Sequence, residues 1–172
     1  MKRLLFMPLM AATMLIAGVA SAQDKKPASP PATVSQKIAS GATITINYSQ
    51  PSVKGRTIGK DLEPLPGKVW RTGANEATVF ETDKDITVEG MALPAGKYGL
   101  FTILNDKEWT IILNKTWKQW GAFKYQKGDD VLRVKVPAAK APSFTETFTI
   151  TIGQDGKVSL LWGDLEGDFI VK

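Results

Sequence analysis

The chain has 172 residues, with 22 lysines and arginines against 17 aspartates and glutamates, a formal charge of +5, and neither histidine nor cysteine. The missing side chains exclude histidine-based triads, thiol nucleophiles, disulfides and the usual Zn, Cu and nonheme Fe ligand sets. The charges are interspersed along the chain, so the basic balance gives no nucleic-acid stripe.

Met1-Lys2-Arg3 is a short basic head, Leu4 to Val19 an uncharged apolar run, and Ala20-Ser21-Ala22 a small-residue cleavage pattern. This reads as a signal peptide over residues 1–22 that leaves a soluble, exported, periplasmic chain with no stable membrane insertion. Removing 22 residues from 172 leaves 150 with a net charge of +3, enough for a single domain. Residues 23–31 are polar and proline-rich and read as a flexible lead-in, followed by one domain over 32–172.

Period-two alternation then dominates. Ile44, Ile46 and Tyr48 share one strand face opposite threonines and Asn47. Short strands follow at 78–81, 86–88, 98–104, 108–113 and 131–136, with apolar positions alternating against polar ones in most of them. Phe148, Ile150 and Ile152 lead through Gly153-Gln154-Asp155-Gly156 to Val158, Leu160 and Trp162, a hairpin with a Gly/Asp turn. Phe169 to Val171 is placed as a closing strand. The pattern predicts an all-β fold, an antiparallel β-sandwich or jelly-roll-like barrel. One long connection interrupts it: Asn114 to Asp130 carries Trp117, Trp120, Phe123 and Tyr125. Loops of this length inside a small domain are uncommon and often functional. Trp117 and Trp120 stand three apart, so a short helical turn would align them.

The motif order is distinctive. Ser29-Pro30-Pro31 precedes Tyr48-Ser49-Gln50-Pro51-Ser52-Val53-Lys54-Gly55-Arg56. Next come Trp70-Arg71-Thr72-Gly73-Ala74-Asn75-Glu76-Ala77-Thr78, Leu93-Pro94-Ala95-Gly96-Lys97-Tyr98, Trp109 to Asn114, Trp120-Gly121 and Leu132-Arg133-Val134. In these motifs the chain resembles the bacterial domain of unknown function 2911 family, common in exported proteins of the Bacteroidetes. The resemblance spans about residues 29 to 171 and implies compartment and fold, but no activity. Gln50 stands where the family pattern implies arginine, which weakens an anion-binding role there.

Arg71, Asn75, Glu76 and Thr78 lead the candidate ligand-binding residues. A planar guanidinium grips carboxylate or phosphate in two places, and an amide and a carboxylate read hydroxyls. The bland alternative is a brace, with Asn75 satisfying a turn and Arg71 paired to Glu76. Arg56 either joins Arg71 in a cationic pocket or ties down its own loop. Trp117, Trp120 and Tyr125 form either a stacking platform for sugar rings or a cap on the end of the fold. Asp164, Glu166 and Asp168 do not follow the EF-hand order, and no metal or cofactor is assigned.

Three functions follow from these residues. The first is a binding module for a small oxygen-rich or glycan-like ligand, in which Arg71, Asn75, Glu76 and Trp120 converge on one open concavity. The second is an envelope protein–protein interaction domain whose partner the sequence leaves open. The third is a histidine-free hydrolase with Glu76 as its acid or base and Glu81 or Asp129 as a second carboxylate.

Overall fold

The alternating faces become strands that pack a large aromatic core. The computed structural model describes residues 29–172; the expected signal peptide and residues 23–28 of the lead-in lie outside the described residues. The elements are β1 (Pro31–Lys37), β2 (Thr43–Ser49), β3 (Val69–Trp70), β4 (Thr78–Thr82), β5 (Ile86–Val88), β6 (Met91–Leu93), β7 (Gly96–Leu104), β8 (Glu108–Asn114), β9 (Asp130–Ile152) and β10 (Lys157–Ile170), with one 3-10 turn at Lys127–Asp129. The first strand thus starts at Pro31, inside the expected lead-in. No helix among the described residues is long and apolar enough to cross a membrane.

The main sheet runs β1-β2-β4-β7-β8-β9-β10, with β3 beside the end of β7, and β5-β6 form a small ribbon. Every strand pairing is antiparallel. The sheet curls into a half-barrel, an all-β fold as the alternation predicted. β9 makes the curl necessary. At about 3.3 Å per residue its 23 residues would run roughly 76 Å if straight, against a radius of gyration of about 15 Å for a domain of this length. The strand turns the corner opposite irregular register in β10, between Leu161 and Leu165. Bulges of this kind bend a strand and increase its twist.

The curl brings the second half of β9 back to the chain that follows β2. Phe148 N–H donates to the Pro51 carbonyl and Val53 N–H to the Glu146 carbonyl, both at 2.9 Å. The Tyr48 hydroxyl accepts from the buried Ile150 N–H at 3.1 Å. The last residues join the small ribbon, where Thr87 and Lys172 exchange backbone bonds of 2.7 and 2.9 Å.

Inside the curl lie Ile44, Ile46, Phe80, Leu100, Ile111 and Phe148, all fully buried, with the aromatic rings at the centre. Trp70 packs on Phe148 at 5.0 Å and on Trp109 at 6.5 Å, and Phe148 meets Trp162 edge-on at 6.0 Å. A second, smaller core of Ala77, Phe101 and Ile112 lies on the outer face, under Ala122 and Tyr125 of the aromatic loop.

Tyr48→Phe tests the seam. It strands the Ile150 N–H in an apolar site, at a cost of about 1–3 kcal/mol, which thermal denaturation should read as a fall in Tm of roughly 2–10 °C. An unchanged Tm would remove the hydroxyl from any closing role.

Candidate functional site

The core itself shapes the loop that carries Arg71. The indole N–H of buried Trp70 donates to the Gly73 carbonyl at 3.0 Å, folding the chain back as soon as β3 ends. Two residues of the turn, Thr72 and Asn75, take left-handed backbone (φ 54° and 59°). Gly73 is required by proximity: a Cβ there would stand 2.9 Å from the Ser49 carbonyl oxygen. Thr78 is fully buried, and its hydroxyl donates to the Thr72 carbonyl at 2.6 Å. The Thr72 hydroxyl reaches the Thr102 hydroxyl at 3.1 Å. Asn75 spends its amide hydrogens on the Ser29 carbonyl at 3.0 Å and the Ser49 hydroxyl at 3.2 Å. Thr78 and Asn75 therefore hold the turn together rather than face solvent with unsatisfied donors.

Arg71 projects from this turn toward a segment that sequence reasoning passed over. Its Nη2 pairs with Glu63 Oε2 at 3.2 Å, so the brace to Glu76 considered above does not form. The Glu63 backbone is itself tethered to the core, since the Trp162 indole donates to its carbonyl at 2.9 Å. On the other side, a Cβ on Gly121 would stand 3.0 Å from Arg71 Nη1. Arg71 Nε is buried and has no hydrogen-bond partner among the described residues, an uncommon state for a guanidinium donor. Arg71 borders a concavity of about 170 Å³ with Pro51, Glu63, Trp70, Ala74 and Trp162.

The aromatic loop crosses the outer face of the sheet and meets the Arg71 turn. No helical turn forms at Trp117–Trp120. Instead, tight i→i−2 bonds join Trp117 N–H to Lys115 O at 3.0 Å and Gln119 N–H to Trp117 O at 3.2 Å. The next residues then pair as a strand would: Ala77 N–H donates to Gln119 O and Gly121 N–H to Asn75 O, both at 2.9 Å. Glu76 and Trp120 face each other between these two bonds as an isolated antiparallel bridge. In such a non-hydrogen-bonded pair the Cα atoms stand about 4.5 Å apart and the side chains leave on the same face. Trp120 is 57% exposed and Phe123 83% exposed. Glu76 is also exposed, and among the described residues its carboxylate has no hydrogen-bonding side chain.

The remaining candidates lie elsewhere or are occupied. Trp117 sits with its Cα 3.2 Å from where a Cβ of Gly99 would be, and the Lys97 ammonium lies 5.8 Å from its ring centroid. Tyr125 packs on Phe101 at 5.1 Å and donates its hydroxyl to Asp130 at 2.9 Å, while Arg133 Nη2 donates to the same hydroxyl at 2.7 Å. Burial, and then the Asp130 carboxylate that accepts its hydrogen bond, push the phenol up to about 12. Arg56 bonds the carbonyls of Ser52 at 2.7 Å and Val53 at 3.1 Å and lines a different cavity, with Phe144 and Asp164. It does not share a pocket with Arg71. Asp168 pairs with Lys157 at 2.6 Å, and no acidic group with metal-holding geometry occurs among the described residues. Glu81 pairs with Lys97 at 3.2 Å. It lies five residues beyond Glu76, roughly 16 Å along an extended chain, whereas glycosidase carboxyl pairs stand about 5–9.5 Å apart. Asp129 accepts from the Thr116 hydroxyl at 3.0 Å.

Of the residues singled out from the sequence, the fold sets Glu76 beside Trp120 and brings Arg71 to Gly121, the next residue in the chain, with Glu63 and Phe123 added. The expected single concavity does not form, because Arg71 and Glu76 line separate cavities and Trp120 stands between them at the surface, lining neither. Glu63 left no sequence trace because only the tertiary fold sets it beside Arg71. Phe123 was visible as one aromatic of the long loop. A flat indole, an open carboxylate and a partly paired guanidinium suit a ligand with apolar ring faces and many hydroxyls.

The Tyr125 clamp gives a pH signature. A phenol whose proton is held more tightly in the folded than in the unfolded chain contributes its full stabilisation below pH 10, and that contribution fades as pH rises from 10 toward 12. Urea denaturation across this range should show a steeper decline for the wild type than for Tyr125→Phe; equal slopes would dissociate the clamp from the alkaline response. No curated protein matches this sequence, and no solved structure matches its fold. A family model described as "Protein of unknown function (DUF2911)" matches residues 29–171, nearly the whole described chain. The chain belongs to this family of unknown function.

Proposed function

We propose that the protein is an exported, periplasmic binding module that receives a small oxygen-rich, glycan-like ligand at the rim formed by Arg71, Glu76 and Trp120. The observation that carries this reading is the bridge between Glu76 and Trp120, which sets an exposed carboxylate beside an exposed indole. The C–H face of a sugar ring stacks on an indole, and a carboxylate accepts two of the hydroxyls at its edge. The Glu63 carboxylate offsets the Arg71 charge, so the rim favours hydroxyl groups over a free anion. Export rests on the leader pattern of residues 1–22. A protein contact at the same rim is the second reading, favoured by the 83% exposure of Phe123.

Thermal-shift and tryptophan-fluorescence titrations with glucose, N-acetylglucosamine, glycerol and succinate test the proposal. A sugar should bind, and Trp120→Ala should weaken it at least about tenfold, a loss of 1.4 kcal/mol, with Tm nearly unchanged because the indole stands at the surface. Arg71→Ala should weaken it as well. Wild-type affinity in Trp120→Ala would reject the rim as the binding site and leave the protein contact as the surviving reading.

A further inference from the structure

The sheet register places a row of side chains directly beside this rim. Thr33 faces Asn47, Asn47 faces Val79, and Val79 faces Gly99, on four adjacent strands. Val79 is followed by core-facing Phe80, so alternation turns this row to the outer face. The next row on that face is Ser35, Thr45, Glu81 and Lys97. The first row grades from hydroxyl and amide to a small apolar side chain and then to none. Gly99 is where the aromatic loop comes down, with the Trp117 backbone resting on it.

Thr33, Asn47, Ser49, Glu76, Ala77 and Val79 all line one trench of about 220 Å³. The Thr33 hydroxyl donates to Asn47 Oδ1 at 2.7 Å, which leaves both amide hydrogens of Asn47 without a protein partner among the described residues. They offer donors to the trench that Glu76 also lines. Beyond the trench the outer face continues to the Glu81–Lys97 pair, one row on from Val79 and Gly99, with the Lys97 ammonium over the Trp117 ring.

We infer that the ligand is a neutral oligosaccharide: one ring stacks on Trp120, and the next lies in the trench between Asn47 and Glu76. This inference rests on the binding reading above and extends it from a single ring to a chain. The trench is smaller than the roughly 300–1,000 Å³ typical of pockets for drug-sized ligands. It suits one ring-sized group, and its lining residue Glu76 is the bridge partner of Trp120. Glu76 lines the trench with a carboxylate, which disfavours an anionic chain, and Glu81 and Lys97 pair with each other and leave no free cation in their row to attract one. Alanine and valine beside hydrogen-bonding side chains in one lining match a ring that presents C–H groups on its face and hydroxyls at its edges.

Length dependence tests the inference. Glucose, cellotetraose, maltotetraose and N-acetylchitotetraose would be titrated against the full chain by calorimetry, with acrylamide quenching as a readout of Trp120. At least one tetrasaccharide should bind tenfold or more tightly than its monomer and shield the indole. Thr33→Trp fills the trench from an exposed position and should bring that tetrasaccharide down to the affinity of the monomer. Asn47→Ala should remove part of the gain. Equal affinity for monomer and tetrasaccharide, or a gain that survives Thr33→Trp, overturns the trench while single-ring binding at the rim stands. Absence of binding by every sugar overturns both.

Discussion

Three buried indoles must each find a hydrogen-bond acceptor, and meeting that requirement ties the loops of this protein to its core. An N–H left unpaired among aromatic rings costs about as much as a substantial share of a small domain's net stability. Trp70, Trp109 and Trp162 each donate to a backbone carbonyl outside the strand that carries them, at Gly73, Glu166 and Glu63. Two of those carbonyls belong to the segments that present Arg71 and Glu63. The guanidinium and its carboxylate meet because core tryptophans fix the backbones beneath them. With no cysteine in the chain, this anchoring comes from packing and hydrogen bonds alone.

The same economy explains which polar residues face outward. The turn from Arg71 to Thr78 carries five side chains able to hydrogen-bond, and three of them, Thr72, Asn75 and Thr78, are consumed in closing it. Their role is to hold left-handed backbone at Thr72 and Asn75, which re-aims the chain so that Glu76 emerges beside Trp120. On the far side of the aromatic loop, Tyr125, Asp130 and Arg133 form a closed network. Fully satisfied networks of this kind stiffen what they connect. The rim therefore stands on two inward-bonded supports.

Strands whose faces differ strongly were legible in the sequence. Ile44, Ile46 and Tyr48, or Trp109, Ile111 and Leu113, announce a buried side by size alone. β1 was not, because its inward face is Ala32, Val34 and Gln36, which cover the sheet only partly. The middle of β9 was equally obscure: Pro137-Ala-Ala-Lys-Ala-Pro142 has turn-like composition, yet it pairs with β8 and β10 at the bend. For the site, residue chemistry picked out Arg71, Glu76 and Trp120, and chain order could not supply Glu63. The helical turn expected at Trp117 and Trp120 failed for a local reason. Gly121 adopts φ of +60°, and the residues before it gain more by bonding Asn75 and Ala77 than by coiling on themselves.

β9 lies beside β8 with its first third and beside β10 with the remainder. One uninterrupted backbone is thus common to both walls of the curl, and neither wall retains its full set of partners if the other opens. Loss of order at either end would propagate through that shared ribbon, so the native state should come apart as one event. Amide protons in β2 and in β10, on opposite walls, would then exchange with solvent at the same limiting free energy.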